Sequence, residues 1–363
     1  MKARLIAVLA SVAVVAASMP SLVSAQPRVR PRVDIKRPNI RIQDPNIRIK
    51  NPNLRLQGRG PEIKFEANLT GDVLERAQNL NVYRLAPSKL GRESLSQLQN
   101  DIFGRGLGQV VNAGQLMGMS DPDNPANFLM LDARSGYMSF DRGLADEIDD
   151  NRAELPGDRE AEDIARELFT GLEIGPENDK ELVLGHISRI RSQSFDPATG
   201  QEGDIITQAL VVHLARELDG VRVIGPGSKL IARIGDGGKI VGGSSRWRDV
   251  ADTQSMRRQK QLNAQDIQNG IAKFLKREVG QAKGVQITGM GLFYYDGGNV
   301  IQPVVGYEAS VQRAGGVRET YFGQFAILAN PQEQVMVGPL SGKLREMLDG
   351  PPKGLQTDET GQD

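Results

Sequence analysis

The pattern of apolar and polar positions from about residue 75 onward predicts helices that are each followed by a run of short strands. The clearest helix covers 158–169, where Ala161, Ile164, Leu168 and Phe169 recur at helical spacing on one face. Turns rich in glycine and aspartate divide the residues after this helix into alternating segments. We predict strands at 182–191, 205–214, 221–224, 228–234 and 239–247.

The same order recurs after Asn263, a residue type that favours the start of a helix. An apolar stripe predicts a helix over 264–279, and a weaker copy upstream has a helix at 94–103. Spacing alone leaves open whether this repeat reflects duplication or a general alternation of helix and strands. We therefore predict an α+β fold of repeated helix-on-antiparallel-sheet units. After the helix at 264–279 we predict strands at 285–295, 300–313, 318–328 and 334–337. The three predicted units cover 75–150, 151–255 and 256–342, and a disordered tail covers 343–363.

Residues 1–25 have the pattern of a cleavable secretion signal. Lys2 and Arg4 precede an apolar run over 5–17, and Val-Ser-Ala at 23–25 places small residues before the cleavage point. The run is shorter than the roughly 20 apolar residues that a membrane helix needs. The sequence therefore predicts a secreted or periplasmic protein with no membrane span.

Residues 26–67 differ from the rest of the chain because a seven-residue unit that begins with Pro-Asn recurs. Proline at this spacing excludes a regular helix. The segment is rich in lysine and arginine and predicts an extended basic arm, which is either a solvated tether or a contact to an anionic surface or partner. Its short apolar-Arg-apolar triplets are also compatible with strands added to a sheet edge. The arginines at the centres of the triplets are Arg41, Arg48 and Arg55.

Composition narrows the class of protein further. The chain has 45 basic and 45 acidic residues, so no overall charge directs it to nucleic acid. It has no cysteine, which excludes disulfides, thiolate metal sites and a lipid-bearing cysteine after the signal. An exported chain that folds without disulfides is typical of a bacterial secreted or periplasmic protein.

Several stretches resemble the PepSY and FTP modules of secreted metallopeptidase propeptides. The longest is Leu-Asp-Gly-Val-Arg-Val-Ile-Gly at 218–225, where Arg222 replaces the proline usual in those modules. The resemblance implies a non-catalytic module that binds protein. Because no peptidase domain follows, it implies action in trans, as an inhibitor or folding helper of a peptidase. The other stretches are Leu-Ile-Ala-Arg-Ile at 230–234, Asp-Gly-Gly-Lys-Ile-Val at 236–241, Ser-Ser-Arg-Trp at 244–247 and Leu-Asp-Ala-Arg-Ser-Gly-Tyr at 131–137.

Few residue patterns support catalysis. His186 and His213 are the only histidines, and they lie in separate strand segments that can face each other across neighbouring strands. We favour core or half-exposed histidines over a pair of metal ligands. The glycine-rich stretches at 104–108 and 227–245 lack the strand–helix context of a nucleotide loop or a nucleophile elbow. We predict a protein that is not an enzyme and that has no cofactor, no catalytic residue and no metal ligand.

Calcium binding between Asp121 and Asp132 is left open. The aspartates and asparagines of this segment outline a calcium loop, but Ala126 stands where such a loop needs glycine. The alternative is an Asx-rich turn between two strands.

Arg246, Trp247 and Arg248 are the candidate partner contacts of the globular part, because tryptophan and arginine are enriched at binding hot spots. In the alternative arrangement Trp247 fills the end of the core and both arginines are solvated. The leading hypothesis is a secreted or periplasmic, non-catalytic protein-binding module with a protein or peptide partner, such as a secreted peptidase. The alternative is a cell-envelope structural or adhesion protein that is held by its basic arm through Arg41, Arg48 and Arg55.

Overall fold

Strands dominate the structure, a computed structural model that describes residues 61–67, 69–143, 154–196, 199–280, 282–332 and 340–341. The predicted signal, most of the predicted arm, the predicted strand at 334–337 and the predicted tail lie outside these residues. All described residues belong to one compact unit. None of the described helices is both long enough and apolar enough to cross a membrane.

The described residues form sixteen strands and four α-helices. The helices are α1 (Gly71–Gln78), α2 (Arg92–Phe103), α3 (Asp158–Gly171) and α4 (Ala264–Glu278). The strands are β1 (Glu62–Phe65), β2 (Asn81–Leu85), β3 (Val111–Ala113), β4 (Leu116–Ser120), β5 (Asn127–Asp132), β6 (Tyr137–Arg142), β7 (Leu182–Asp196), β8 (Gln201–Leu218), β9 (Val221–Ile224), β10 (Lys229–Ile234), β11 (Ile240–Arg246), β12 (Val250–Ser255), β13 (Gly284–Asp296), β14 (Val300–Gln312), β15 (Arg318–Ala326) and β16 (Leu340–Ser341).

These strands join into one large mixed sheet. The main order is β12-β2-β14-β13-β9-β8-β10-β11-β6-β5-β4-β3, with β1 beside β13, β7 beside β8, β15 beside β14, and β16 beside β15. β1 and β9 pair with β13 in parallel, whereas the remaining neighbours among the described strands are antiparallel. The end of the predicted arm therefore contributes a strand, because Glu62 to Phe65 align with Gly284 to Ile287.

The prediction of repeated helix-on-antiparallel-sheet units is wrong. The described residues form only four α-helices against sixteen strands, so the fold is mostly β and not the predicted α+β, and the strands of the three predicted units do not form separate sheets. β2 pairs with both β12 and β14, and β9 joins β8 to β13. The physical reason is that alternation identifies a strand and its buried face but carries no information about which other strand its backbone groups bind.

The core lies where helices cover the sheet. α3 places Ala161, Ala165 and Phe169 against β8 and β10, and α2 packs on β5 and β6. Asn263 caps the start of α4, because its side-chain oxygen accepts a hydrogen bond from the backbone N–H of Asp266 at 2.8 Å. Its buried face packs on β13 and β14 in the largest apolar cluster, which α1 also joins.

The turn between β9 and β10 fits closely against the end of β13. Gly225 has φ of +112° in this turn, and a Cβ atom there would lie 2.6 Å from the carbonyl oxygen of Asp296. Glycine is required for both reasons, because other residues rarely adopt this φ and the Cβ has no space. The close approach holds the antiparallel part of the sheet, from β8 to β3, against the part that contains β13.

Candidate functional site

One face of the antiparallel strands β5, β6, β8, β10 and β11 is covered by helices, and the opposite face is not covered by any described helix. Along β10, Leu230, Ala232 and Ile234 are fully buried in the core beneath α3. In each of these strands, every second side chain points away from the helices, to the opposite face of the sheet. These side chains are partly buried, as expected for a sheet with one solvated face. We call this surface the open face; it comprises Phe128, Met130, Asp132, Tyr137, Ser139, Asp141, Val211, His213, Ala215, Lys229, Ile231, Arg233, Ser244 and Arg246.

The strand register aligns side chains in rows across the open face. Ile231 on β10 lies between His213 on β8 and Ser244 on β11. The row continues through Ser139 on β6 to Met130 on β5. Side chains that are directly opposite on neighbouring strands lie about 5 Å apart at Cβ, so each row is a continuous surface. This surface offers a partner a strip of apolar and hydroxyl groups.

His186 and His213 face each other at the edge of this row, as neighbouring strand segments allow. β7 and β8 pair these residues directly, and their rings stack with centroids 3.9 Å apart and planes 13° apart. Burial, together with smaller effects of the nearby His186 and Lys229, lowers the pKa of His213 to about 3. Since the rings are nearly parallel, their nitrogen lone pairs lie in separate planes and do not converge on a single metal ion.

Cationic groups line the open face on both sides of the central row. The guanidinium of Arg246 lies 5.1 Å from the ring centroid of Tyr137, and its Nη1 donates to the carbonyl of Pro226 at 3.3 Å. Arg233 forms an ion pair with Asp141 at 2.7 Å. A small depression beside His213 is lined by several residues of β9 and β10, among them Arg222, Lys229 and Ile231.

The structure places the three residues of the predicted Arg-Trp-Arg contact in different environments. Arg246 lies on the open face, but Trp247 is only 6% exposed and belongs to the core cluster beneath α3. Arg248 binds internally, since its Nε donates to the carbonyl of Ala86 at 2.6 Å and its Nη1 contacts the carbonyl of Gly298. The alternative in which Trp247 fills the end of the core is correct for Trp247, but its solvated Arg248 is not, because Arg248 bonds to these backbone carbonyls. Arg41, Arg48 and Arg55 lie outside the described residues.

The Asp121 carboxylate, which a calcium loop would use, already has partners within the chain. It accepts from the backbone N–H of Asp123 at 3.0 Å, and the Arg105 guanidinium forms an ion pair with it. The hydrogen bond from Asp123 lowers the pKa of the Asp121 carboxyl, and Asn127 and Arg105 add to the effect. Asp132, the other acid of the outlined loop, accepts from Arg134 and Ser135 in its own turn.

We expect calcium to leave the thermal melting temperature of the protein unchanged, because the Arg105 guanidinium holds the position that a cation would take beside Asp121. The measurement is a melting curve with and without millimolar calcium, with magnesium as the control. A ligand that binds the folded state raises the melting temperature. A rise with calcium and not with magnesium would therefore contradict the assignment of this segment as a turn.

A second acidic group, Asp219, is also used to hold the fold. It occupies the turn between β8 and β9 with φ of +53°. The hydroxyls of Tyr83 and Tyr294 both donate to its Oδ2, each at 2.6 Å. Burial, together with the hydrogen bond to Asp219, raises the pKa of Tyr83 to about 12. Burial likewise raises the pKa of Tyr294. The two phenols therefore stay protonated and anchor this turn to β2 and β13.

Sequence reasoning missed most of the open face, although the information was partly present. Lys229, Ile231 and Arg233 alternate with the fully apolar Leu230, Ala232 and Ile234, which indicates one solvated side. The missing step was the order of the strands, which brings Tyr137 and Ser139 of β6 next to Ser244 and Arg246 of β11. The two residues of β6 lie far from the two residues of β11 in the sequence.

Comparison with known proteins does not identify a family for this chain. A scan against protein-family models finds no match, and a search of curated proteins finds no similar sequence. The geometry of the open face therefore provides the basis for a functional proposal.

Proposed function

We propose that the chain is a non-catalytic protein-binding protein that acts outside the cytoplasm and holds its partner on the open face. The observation that supports this most directly is that helices cover one face of the antiparallel strands and no described helix covers the other. Antiparallel sheets with one uncovered face present a broad surface that a partner can bury. The predicted secretion signal supports a location outside the cytoplasm.

The chemistry of the open face favours a partner surface that combines apolar and acidic groups. Ile231 and Met130 provide apolar area in the central row, and Arg246 over Tyr137 forms a pair of residue types that are enriched at binding hot spots. Lys229 pairs with Arg246 across β10 and β11, which concentrates positive charge beside the row. Complementary negative charge on a partner would set its orientation and speed its association.

We further propose a secreted peptidase as the partner, bound in trans. The stretches that resemble PepSY and FTP modules at 218–247 cover β9, β10 and β11. β10 and β11 carry Lys229, Ile231 and Arg246, so the residues of the resemblance and the open face coincide on these strands. This coincidence supports an inhibitor or folding helper more than a structural protein that is held by its arm.

We expect Ile231→Glu to weaken partner binding at least tenfold, about 1.4 kcal/mol, because it places a charge in the central row of the open face. The chain from Gln26 onward, with and without the substitution, is immobilised and exposed to the secreted proteins of its native host. Captured proteins are identified by mass spectrometry, and peptidase activity is measured as the wild-type chain is added. Val317→Glu is the matched control, since Val317 is 57% exposed and lies outside the open face.

The proposal is supported if the wild type captures a peptidase and changes its activity, if Ile231→Glu loses this binding and if Val317→Glu keeps it. Equal binding by both variants would exclude the open face as the site. Cell fractionation of a chain that lacks residues 26–60 tests the alternative. If that deletion abolishes surface retention and no peptidase is captured, the protein is an envelope component held by its arm.

A further inference from the structure

The hairpin formed by β7 and β8 extends well beyond the body of the sheet. β8 pairs with β10 only from Leu210 to Ala215, whereas it pairs with β7 from Gln201 to Arg216. The outer part, residues 190–196 with 201–209, is therefore a two-stranded ribbon about 20 Å long, given a rise of about 3.3 Å per residue. We call this part the ribbon. Among the described strands, β7 pairs with β8 alone, so its other edge is available for pairing.

The outer end of the ribbon exposes apolar side chains, whereas residues 206–209 are partly or fully buried. Phe195 is 54% exposed and Ile205 is 62% exposed, and every residue in 193–196 and 201–205 is exposed. An isolated two-stranded ribbon is marginally stable in water. Exposed apolar residues beside an open strand edge mark a surface that another chain covers.

Charge along the ribbon is divided between its two ends. Arg191 lies at the inner end and is exposed, and Arg189, just before the ribbon, is exposed and pairs with Asp158 at 3.3 Å. The tip carries Asp196, Glu202 and Asp204, all exposed as well. In an antiparallel arrangement of two such ribbons about a two-fold axis, the acidic tip of each lies against the basic inner end of the other. The ribbon is therefore complementary in charge to a second copy of itself.

We propose that two copies of this chain associate through their ribbons, side by side and antiparallel, about a two-fold axis near Gln193. This arrangement makes the same contact twice, as expected for an isologous dimer. It covers the edge of β7 that pairs with no other described strand, and it places Arg191 of each copy near the tip acids of the other. It also reduces the exposure of Phe195. Because the inference concerns the purified chain alone, it does not depend on the proposed partner.

The absence of cysteine makes a direct cross-linking test possible. In the chain from Gln26 onward, Gln193→Cys introduces the single thiol near the proposed axis, and Val317→Cys introduces one at an exposed position away from the ribbon. We expect mild oxidation to give a disulfide-linked dimer with Gln193→Cys and little with Val317→Cys, as measured on a non-reducing gel. Equal cross-linking of both variants would indicate random collision and overturn the proposal.

A charge exchange tests the same contact without a cross-link. We expect Arg191→Glu to raise the dissociation constant of the dimer at least tenfold in sedimentation equilibrium, because it places like charges together. Combining Arg191→Glu with Glu202→Arg restores opposite charges and is expected to recover the dimer. A chain that stays monomeric at every concentration, or one whose dimer is unaffected by Arg191→Glu, would show that the ribbon does not join two copies.

Discussion

Replacing Arg216 with alanine is expected to lower the free energy of unfolding by about 3–5 kcal/mol, since it removes one partner from a buried charged network. Arg216 is 1% exposed, and its Nε lies 3.1 Å from Oε2 of Glu181. Its guanidinium carbon lies 4.0 Å from the ring centroid of Trp247, and Nη1 donates to the carbonyl of Arg248 at 3.0 Å. The truncation would leave the buried ring of Trp247 and the carbonyl of Arg248 without their partner, and the carboxylate of Glu181, whose side chain is 27% exposed, without its counter-charge.

The network also connects two parts of the sheet. Nη1 of Arg216 reaches the hydroxyl of Ser228 at 3.4 Å, and that hydroxyl donates to Oδ2 of Asp296 at 2.6 Å. Ser228 lies in the turn before β10, and Asp296 ends β13. Burial lowers the pKa of the Arg216 guanidinium, while the carboxylates of Glu181, Asp296 and Asp249 raise it. These surrounding acids keep the buried arginine charged.

Urea unfolding of three variants separates this role from a general loss of charge. Arg189→Ala removes a surface ion pair with Asp158, in which both side chains are about half exposed, and is expected to cost no more than about 0.5 kcal/mol. Arg216→Lys keeps the charge but cannot keep the planar stacking on Trp247, so it is expected to stay well below the wild type in stability. A loss for Arg216→Ala as small as that for Arg189→Ala would show that the network contributes little.

The strands and helices of the second half of the chain could be predicted closely from local patterns. The predicted strand at 221–224 is β9 itself, and the predicted helix at 264–279 agrees with α4 to within one residue. These elements are regular because apolar alternation, helix capping and glycine turns all favour the same local structure. The predicted strands at 182–191 and 205–214 are shorter than β7 and β8, because the outer residues of β7 and β8 are polar and show no pattern of burial.

The pairing of the strands could not be predicted, and the overall fold depends on it. β9 pairs in parallel with β13 through Val223 and Ile224, although long stretches of chain separate them. β2 was not predicted at all, because its five residues carry no distinctive turn on either side. Such contacts arise from the packing of the whole chain and leave no local sequence pattern.

Part of the candidate site could be found from the sequence, and part could not. The two histidines in neighbouring strand segments indicated a cross-strand contact, and the register places them face to face. The buried charge of Arg216 was not predicted, since arginine in an alternating strand is read as solvated. Trp247 accounts for this exception, because its ring gives the guanidinium a favourable contact in the core.

The protein is expected to lose about 2 kcal/mol of stability between about pH 7 and about pH 5 because of His213. In the folded state its pKa is lowered to about 3, mainly by burial, and then by His186 and Lys229. In the unfolded chain the same imidazole titrates near its ordinary value of 6.5. Between these two values the unfolded state binds a proton that the folded state does not. Stability is therefore complete above the ordinary value and falls as the pH decreases below it.

His213→Asn removes this titration and is expected to flatten the dependence of stability on pH. The free energy of unfolding is measured by urea titration at several values from about pH 7 down to about pH 5, a range above the ordinary pKa of most carboxylates. The wild type is expected to lose about 2 kcal/mol more than the variant across this range, whatever their difference at neutral pH. Parallel curves for the two proteins would show that His213 gains its proton as readily in the folded chain as in the unfolded one. The stacked pair with His186 would then provide no sensitivity to acid.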